Sequence, residues 1–399
     1  MLRQLYTAKQ LAKVVRRQDV WRWNLWEANS NRENKLRDLS DVISADSFTI
    51  SELRTRIAKG YVIYEPSRAE DCLSLRLVDH YLRLIYKVQQ SDRSRIVRQL
   101  KVILEDSSDL ELRKLDIRSF YESISFDVLI ARIRGDMILG YKGIRILESL
   151  AEQAREAGCD GLPRGIGVSA TLAEIVGRDI DRHIRNMHGV YYAARYVDDI
   201  IIIAERRQGA AIDASLEEFW PKVALETNQD KGVTQSFNSS PCFCYLGYEF
   251  SVGVATEKRK RREVSIRIAP SKIQKQKTKI CKAFWQYSKD RSFSTLVGRL
   301  RYLSCVQPIA SSANGRLCAG NAYNYREITS PSSFDALDAL VRQITAGKGR
   351  LGMSVASLLS QKQIQQLRRI SFRIGFERNL HVQFTRSRAQ QLKRVFRNV

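Results

Sequence analysis

Two adjacent aspartates interrupt one of the most apolar stretches of this chain. Asp198 and Asp199 follow Val190-Tyr-Tyr-Ala-Ala-Arg-Tyr-Val197 and precede Ile200-Ile-Ile-Ile203. Both flanks are rich in strand formers, so the segment reads as a hairpin with the acidic pair at its turn. Neighbouring carboxylates in apolar surroundings are costly unless a cation neutralises them. Along a strand the two side chains would point to opposite faces, whereas at a turn both can reach one site. A metal ion is the natural occupant. Taken alone, an Asp-Asp pair is more often a solvated turn. Asp116 shifts that weighting, because it closes an apolar strand, Leu112 to Leu115, and precedes Phe120-Tyr121. With the two strands side by side, Asp116 and Asp198 can share two Mg2+ ions. One would activate a 3′-hydroxyl, and the other would hold a triphosphate and its leaving pyrophosphate.

Charge points the same way. Across 399 residues, Lys+Arg number 67 against 43 Asp+Glu, a formal charge of +24. A surplus of that size calls for an anionic partner, with nucleic acid ahead of a membrane surface. No apolar run approaches the roughly 18 residues of a membrane span. The opening Met1-Leu2-Arg3-Gln4-Leu5 leads into a polar helical pattern and not into a signal-peptide core. The seven cysteines are dispersed, with only Cys242 and Cys244 close and no C-x2-C pair. That argues against zinc and for reduced thiols in a cytoplasmic setting.

Other segments read as follows. Residues 1 to about 60 are polar and helical, with Trp21, Trp23 and Trp26 either packing this segment down or offering stacking platforms. Gly60–Tyr64 reads as a strand ending at Pro66, and Tyr81–Val88 as a second strand by its alternation. After a polar turn, Gln89–Arg93, a helix capped by Ser94 is expected through Leu104. Another helix is expected after Ser125, with Asp127 in its first turn, and residues 141–158 are helical in pattern. Gly161–Gly167 is a glycine-punctuated loop, and Ser169 or Thr171 would open the helix that follows, to about Met187. Residues 210–225 read as helix and Cys242–Phe250 as a strand pair. Beyond a basic run, Glu257 to Arg262, the chain is helical and basic from Pro270 to about Ser304, broken at Pro308, and again from Lys362 to Val399.

Five short stretches, in order, resemble the motifs of reverse transcriptases. Tyr196-Val-Asp-Asp199 is similar to their Y-x-D-D motif. Leu115-Asp-Ile-Arg-Ser-Phe-Tyr-Glu-Ser-Ile124 looks like their first catalytic motif, and Leu162-Pro-Arg-Gly165 like their L-P-Q-G loop. Tyr245-Leu-Gly-Tyr-Glu-Phe250 looks like the primer grip. Lys231, after Leu225-Glu-Thr-Asn228, falls where the family has its motif-D lysine. The resemblance covers about residues 80–300 and is nearest to bacterial retron, group II intron and abortive-infection types. Ser91-Asp-Arg-Ser-Arg-Ile-Val-Arg98 with the Phe-Tyr-Glu-Ser stretch leans toward the defence-associated, antiphage group.

The resemblance implies an α+β right-hand fold. An N-terminal helical extension would span 1–60, fingers 61–110, a palm with finger insertions 111–255, a basic helical thumb 256–345 and a basic helical extension 346–399. It implies RNA-directed DNA synthesis from dNTPs with two Mg2+ ions, for which Mn2+ can substitute. Asp116, Asp198 and Asp199, with the backbone carbonyl of Ile117, would hold the ions. Lys231 would protonate departing pyrophosphate; a plain surface lysine is the alternative. Ser119 and Phe120 would offer backbone N–H groups to the triphosphate. Tyr121, five positions after Asp116, would be the steric gate against a 2′-hydroxyl. Arg83, Lys87, Arg93 and Arg95 would clamp phosphates, though any one of them is as readily a solvated charge. Pro163, Arg164, Gly165, Tyr196, Leu246 and Gly247 would face template and primer. Expected partners are a structured non-coding RNA, the DNA product, and a companion protein or second reverse transcriptase; homo-oligomers are open. Arg164 departs from the family glutamine and brings a fixed charge with five donors, so restricted or unusual template use is expected. Two rivals stand: an RNA-directed RNA polymerase, and an RNA-binding scaffold of polymerase shape.

Overall fold

Five consecutive fully buried residues, Ile200–Ala204, set the centre of the larger sheet. A strand buried on both faces needs neighbours on both edges and cover on both sides. In the computed structural model, residues 2–26, 31–58, 60–89, 91–254, 261–312 and 315–396 are described. The chain divides into two compact units, each built from two stretches of sequence. The first comprises Met1–Asp92 and Leu110–Gln235, the second Arg93–Asp109 and Ser236–Val399.

In the first unit, β1 (Arg54–Ala58) and β2 (Tyr61–Glu65) form an antiparallel hairpin. The main sheet contains β3 (Leu110–Asp116), β4 (Val190–Tyr196), β5 (Asp199–Glu205) and β6 (Val233–Ser236) in the order β4-β5-β3-β6. The register of β3 on β5 runs from Leu110 opposite Glu205 to Asp116 opposite Asp199. Helices Ala69–Ile85, Tyr141–Glu156 and Gly167–Asn186 bury Leu73, Leu77, Leu147, Leu150, Leu172 and Ile180 in the same core. Trp23 and Trp26 pack against that core, while Trp21 is left 74% exposed.

Several expectations are corrected here. Tyr81–Val88 is no strand: it belongs to the helix Ala69–Ile85 and its end. The short alternation at 82–88 is overridden by a longer pattern, Leu73, Leu77, Val78, Tyr81 and Leu82, which repeats at helical spacing and is buried throughout. Arg83 therefore lies on a helix, 3.0 Å from Asp79 one turn back, and Lys87 lies past the helix end at φ 48°. Nor do Ser169 or Thr171 open the next helix, which starts at Gly167 after Ile166. The Ser169 hydroxyl donates to the Pro163 carbonyl at 2.8 Å, and the Thr171 hydroxyl donates to Asp79. Their polar groups are spent on tertiary bonds and not on capping.

Ser94 does not cap the next helix, which already starts at Arg93, and the helical reading of residues 1–60 gives way at Arg54–Ala58, where the segment pairs as a strand with Tyr61–Glu65. Helices occur at Arg93–Leu104, Phe126–Gly135 (capped by Ser125) and Gly209–Lys222. In the second unit, β7 (Cys242–Tyr245), β8 (Tyr248–Val252) and β9 (Val264–Ile268) form a meander, with Phe243 stacked on Phe250 at 5.1 Å. The basic helical stretch divides into Pro270–Asp290 and Phe293–Ser304 at Arg291, which takes φ 53°. A short hairpin, β10 (Gln307–Ser312) with β11 (Gly315–Ala319), contains Pro308. The tail carries helices Gln361–Arg368, Phe372–Glu377 and Arg386–Lys393. Of the basic run, residues 257–260 lie outside the described residues. Arg262 is buried and donates to the carbonyls of Asp106, Ser107 and Ser108, so the end of that run is an anchor.

Candidate active site

The acidic residues meet because of register. Asp116 ends β3 directly opposite Asp199, the first residue of β5, and Asp198 occupies the two-residue turn between β4 and β5. The Ile117 N–H donates to the Asp198 carbonyl at 3.0 Å, which fixes the turn against the end of β3. Val197 reaches φ 61°, a strained position for a β-branched residue. Its carbonyl accepts a bond from Arg195 Nη1 at 3.1 Å.

Arg195 is 5% exposed, and its guanidinium is also held by Glu174 and Asp181 of helix Gly167–Asn186. Gly177 lies between those two acids, and a Cβ there would fall 2.3 Å from the guanidinium carbon. The helix and the aspartate turn are thus joined by one buried cation. Sequence reasoning passed over this group. The signal was an arginine inside an otherwise apolar strand, with two acids a helical distance apart around a glycine.

A second cation reaches the site from the segment after helix Gly209–Lys222. Arg118 N–H donates to the Glu226 carbonyl at 2.8 Å, and Asn228 N–H donates to the Asp116 carbonyl at 2.7 Å. These bonds lay residues 226–228 along the end of β3, and the 3-10 turn Gln229–Lys231 then delivers Lys231 Nζ to Asp116 Oδ1 at 2.8 Å. The Asp116 bond holds the Lys231 ammonium above its ordinary range. Burial first, and then the like charge of Asp198, push the Asp199 carboxyl up, with Lys114 opposing.

These donors are carboxylate and carbonyl oxygens, the chemistry that Mg2+ prefers. The like-charge load on Asp199 is what a dication would relieve. Among the described residues, no group of three or more His, Cys, Asp and Glu side chains is already drawn together as a ligand set. The cation beside Asp116 in this structure is the Lys231 ammonium.

Tyr121 follows in the short helix Phe120–Ser123 and is half-buried against the core. Burial pushes its hydroxyl up, Arg164 opposes that, and Glu174 and Asp198 add to it. Ser119 precedes that helix at φ 45°. The Leu162–Gly165 loop lies on the same backbone: Leu162 N–H donates to the Tyr121 carbonyl at 2.9 Å. Arg164 donates from Nε and Nη2 to both Glu122 carboxylate oxygens, at 2.5 and 2.9 Å.

In the second unit, Leu246 and Gly247 form the turn between β7 and β8, with φ 48° and 78°. Arg93 donates from Nε to the Leu246 carbonyl at 2.7 Å and lies over the rings of Tyr248 and Tyr325. Arg95 is exposed on the helix that Arg93 begins. So Asp116, Asp198, Asp199, Tyr121, Arg164 and Lys231 share one unit, while Arg93, Arg95, Leu246 and Gly247 belong to the other.

Residues 69–250 match the family model described as reverse transcriptase (RNA-dependent DNA polymerase). That stretch, less than half of the 399 residues, is similar to a reverse transcriptase domain, and it lies in an α+β fold of right-hand polymerase type. Telomerase of Candida tropicalis, in complex with the TWJ fragment of telomeric RNA, is 13% identical, with 92% of this chain and 70% of that chain covered and a TM-score of 0.44. The apo telomerase of the same organism, truncated from its C-terminal domain, is 14% identical over 56% of this chain and 61% of that one, TM-score 0.39. Candida albicans telomerase with the TWJ fragment is 12% identical over 89% and 62%, TM-score 0.42. The chain spans less than two thirds of the length of the last two. No curated protein sequence matches it. Among the described residues, no helix is long and apolar enough to cross a membrane.

Proposed function

We propose that this chain copies RNA into DNA, with Asp116, Asp198 and Asp199 as its metal ligands and the Ile117 carbonyl as a further one. The observation that carries the reading is the pairing of Asp116 with Asp199 across the sheet, with Lys231 delivered to the same carboxylate. Those oxygens would hold divalent ions, Mg2+ or Mn2+, whose charge would activate a 3′-hydroxyl and stabilise departing pyrophosphate. Lys231 is placed to give that pyrophosphate its proton. Ser119 and Phe120 offer backbone N–H groups to the triphosphate, and the Tyr121 ring excludes a 2′-hydroxyl. Residues 61–110 act as fingers, 111–255 as palm and 256–345 as thumb, with 1–60 and 346–399 as extensions. Pro163, Gly165 and Tyr196 line the template side, and Leu246 and Gly247 grip the primer.

Restricted template use at Arg164 would act through its ion pair with Glu122. With Nε and Nη2 on Glu122, a template meets an ion pair and not a bare cation. Sequencing the products of wild type and Arg164→Gln on varied templates tests it; long, faithful copies of every template by wild type would remove the idea. From motif resemblance alone we also propose a cytoplasmic antiphage role with a structured non-coding RNA and a companion protein or second reverse transcriptase.

The deciding experiment incubates the purified chain with a DNA-primed RNA template, Mg2+ and labelled nucleotides. Extension with dNTPs is expected, and it should disappear in the double variant Asp198→Ala, Asp199→Ala while RNA retention persists. Extension with NTPs alone would favour an RNA polymerase. Retention without any extension, even with nucleic acid that copurifies from the host, would favour the scaffold reading.

A further inference from the structure

The Arg164 guanidinium is enclosed by residues on either side of the gate. Its carbon lies 4.3 Å from the centre of the Tyr61 ring and 5.0 Å from that of Tyr121, and its Nε and Nη2 are held by Glu122. Glu122 is the next residue after Tyr121. The pair therefore grips the gate twice, through its ring and through its backbone neighbour. Backbone contacts repeat the connection. Gly161 sits so close to this turn that a Cβ would come within 2.5 Å of the carbonyl oxygens of Tyr121 and Glu122. Tyr64 N–H of β2 donates to the Arg164 carbonyl at 2.7 Å. Gly165, at φ 100°, lets this approach happen, since a Cβ there would lie 2.6 Å from the Tyr64 carbonyl oxygen.

We infer that Arg164 and Glu122 are a positioning pair that fixes the Tyr121 ring and so sets how strictly the site separates deoxyribonucleotides from ribonucleotides. The inference rests on the proposed gate role of Tyr121. An aromatic ring on a single turn of helix has rotamer freedom, and a ring that can swing aside admits a 2′-hydroxyl. A planar cation against its face, itself locked by a bidentate carboxylate, removes that freedom. The Tyr61 ring, 4.3 Å from the guanidinium carbon, adds a second aromatic contact that holds the cation in place. Lysine cannot substitute, because an ammonium has neither the fork nor the plane.

The test measures kcat/KM for dCTP and for CTP on a DNA-primed RNA template, using the full chain. The variants are Arg164→Gln, Arg164→Lys, Glu122→Gln and Tyr121→Ala, with the double variant Tyr121→Ala, Glu122→Gln. Each of the three pair variants is expected to lower the dCTP:CTP ratio by roughly 5- to 30-fold, the size of one desolvated cation–π contact. The gain should fall on the CTP side, as a lower KM for CTP. Tyr121→Ala should lower the ratio at least as far, and Glu122→Gln should add nothing in the double variant. A purely structural role would slow both nucleotides together and leave the ratio unmoved. If Tyr121→Ala relaxes the ratio and the pair variants do not, the positioning pair is wrong and the gate stands. An unchanged ratio in Tyr121→Ala overturns the gate and the pair with it. Should one Arg164 variant fail to fold, Glu122→Gln still decides, because an anion has no reason to touch nucleic acid directly.

Discussion

Lys231 Nζ already neutralises one oxygen of Asp116, at 2.8 Å, so the site holds a cation of its own. Replacing Lys231 with methionine keeps the stem and removes the ammonium proposed to protonate pyrophosphate. The rate of the chemical step should fall by about 10²-fold, the usual scale for a lost general acid, with primer–template affinity retained. Single-turnover incorporation set beside a binding titration checks this. The Arg164 bond holds the Glu122 carboxyl below its ordinary 4.5. A lowered folded value means that this bond stabilises the fold above pH 4.5, and that its contribution is lost as pH falls below 4.5 through the lowered value. Melting curves of wild type and Glu122→Gln should therefore differ at neutral pH and converge on acidification. At this scale the sequence was readable where residue type and context coincide. The three aspartates and Lys231 stand beside strand ends and a known spacing. Arg164 was visible as a departure, but its partner Glu122 was not, because a side chain's partner across a loop is set by tertiary folding.

At the scale of elements, the buried cation Arg195 couples a helix to the aspartate turn. Removing it leaves Glu174 and Asp181 facing each other with no counter-charge, a loss of about 3–5 kcal/mol for a broken buried ion pair. Arg195→Met should lower the denaturant midpoint accordingly. Gly177→Ala should also destabilise, since its Cβ would collide with the same guanidinium at 2.3 Å. Most elements were legible because apolar periodicity and punctuation agreed, as at Phe126–Gly135 with Ser125 at its start. The stretch 81–88 was misread because a seven-residue alternation is too short to outweigh a helix already running from Ala69. Buried arginines such as Arg195 and Arg262 were not legible, because composition alone reads an arginine as surface charge.

For the whole molecule, the surplus charge of +24 predicts strongly salt-dependent RNA binding. A protein with six to ten phosphate contacts loses roughly 10³–10⁵ in affinity between about 50 and 200 mM salt. Titrations over that range should follow such a slope, and a flat response would argue against a phosphate-dominated interface. The division into two interleaved units was not visible in the sequence, which shows no linker at 92 or 235. Helix Arg93–Leu104 belongs with residues far downstream: Arg93 caps the Leu246 turn, and the buried Arg262 binds the carbonyls just after the helix. A chain ended at Gln235 should therefore expose Ile96, Val97, Leu100 and Leu104 and self-associate, which light scattering would detect. The same interleaving has a temporal side. On the ribosome, Arg93–Asp109 emerges long before the partners it needs, Ser236–Val399. At about 5–20 residues per second, that segment waits roughly 10–60 s for its companions. The first unit can close around Leu110–Gln235 first, leaving a greasy helix as the part of a nascent chain most in need of a chaperone.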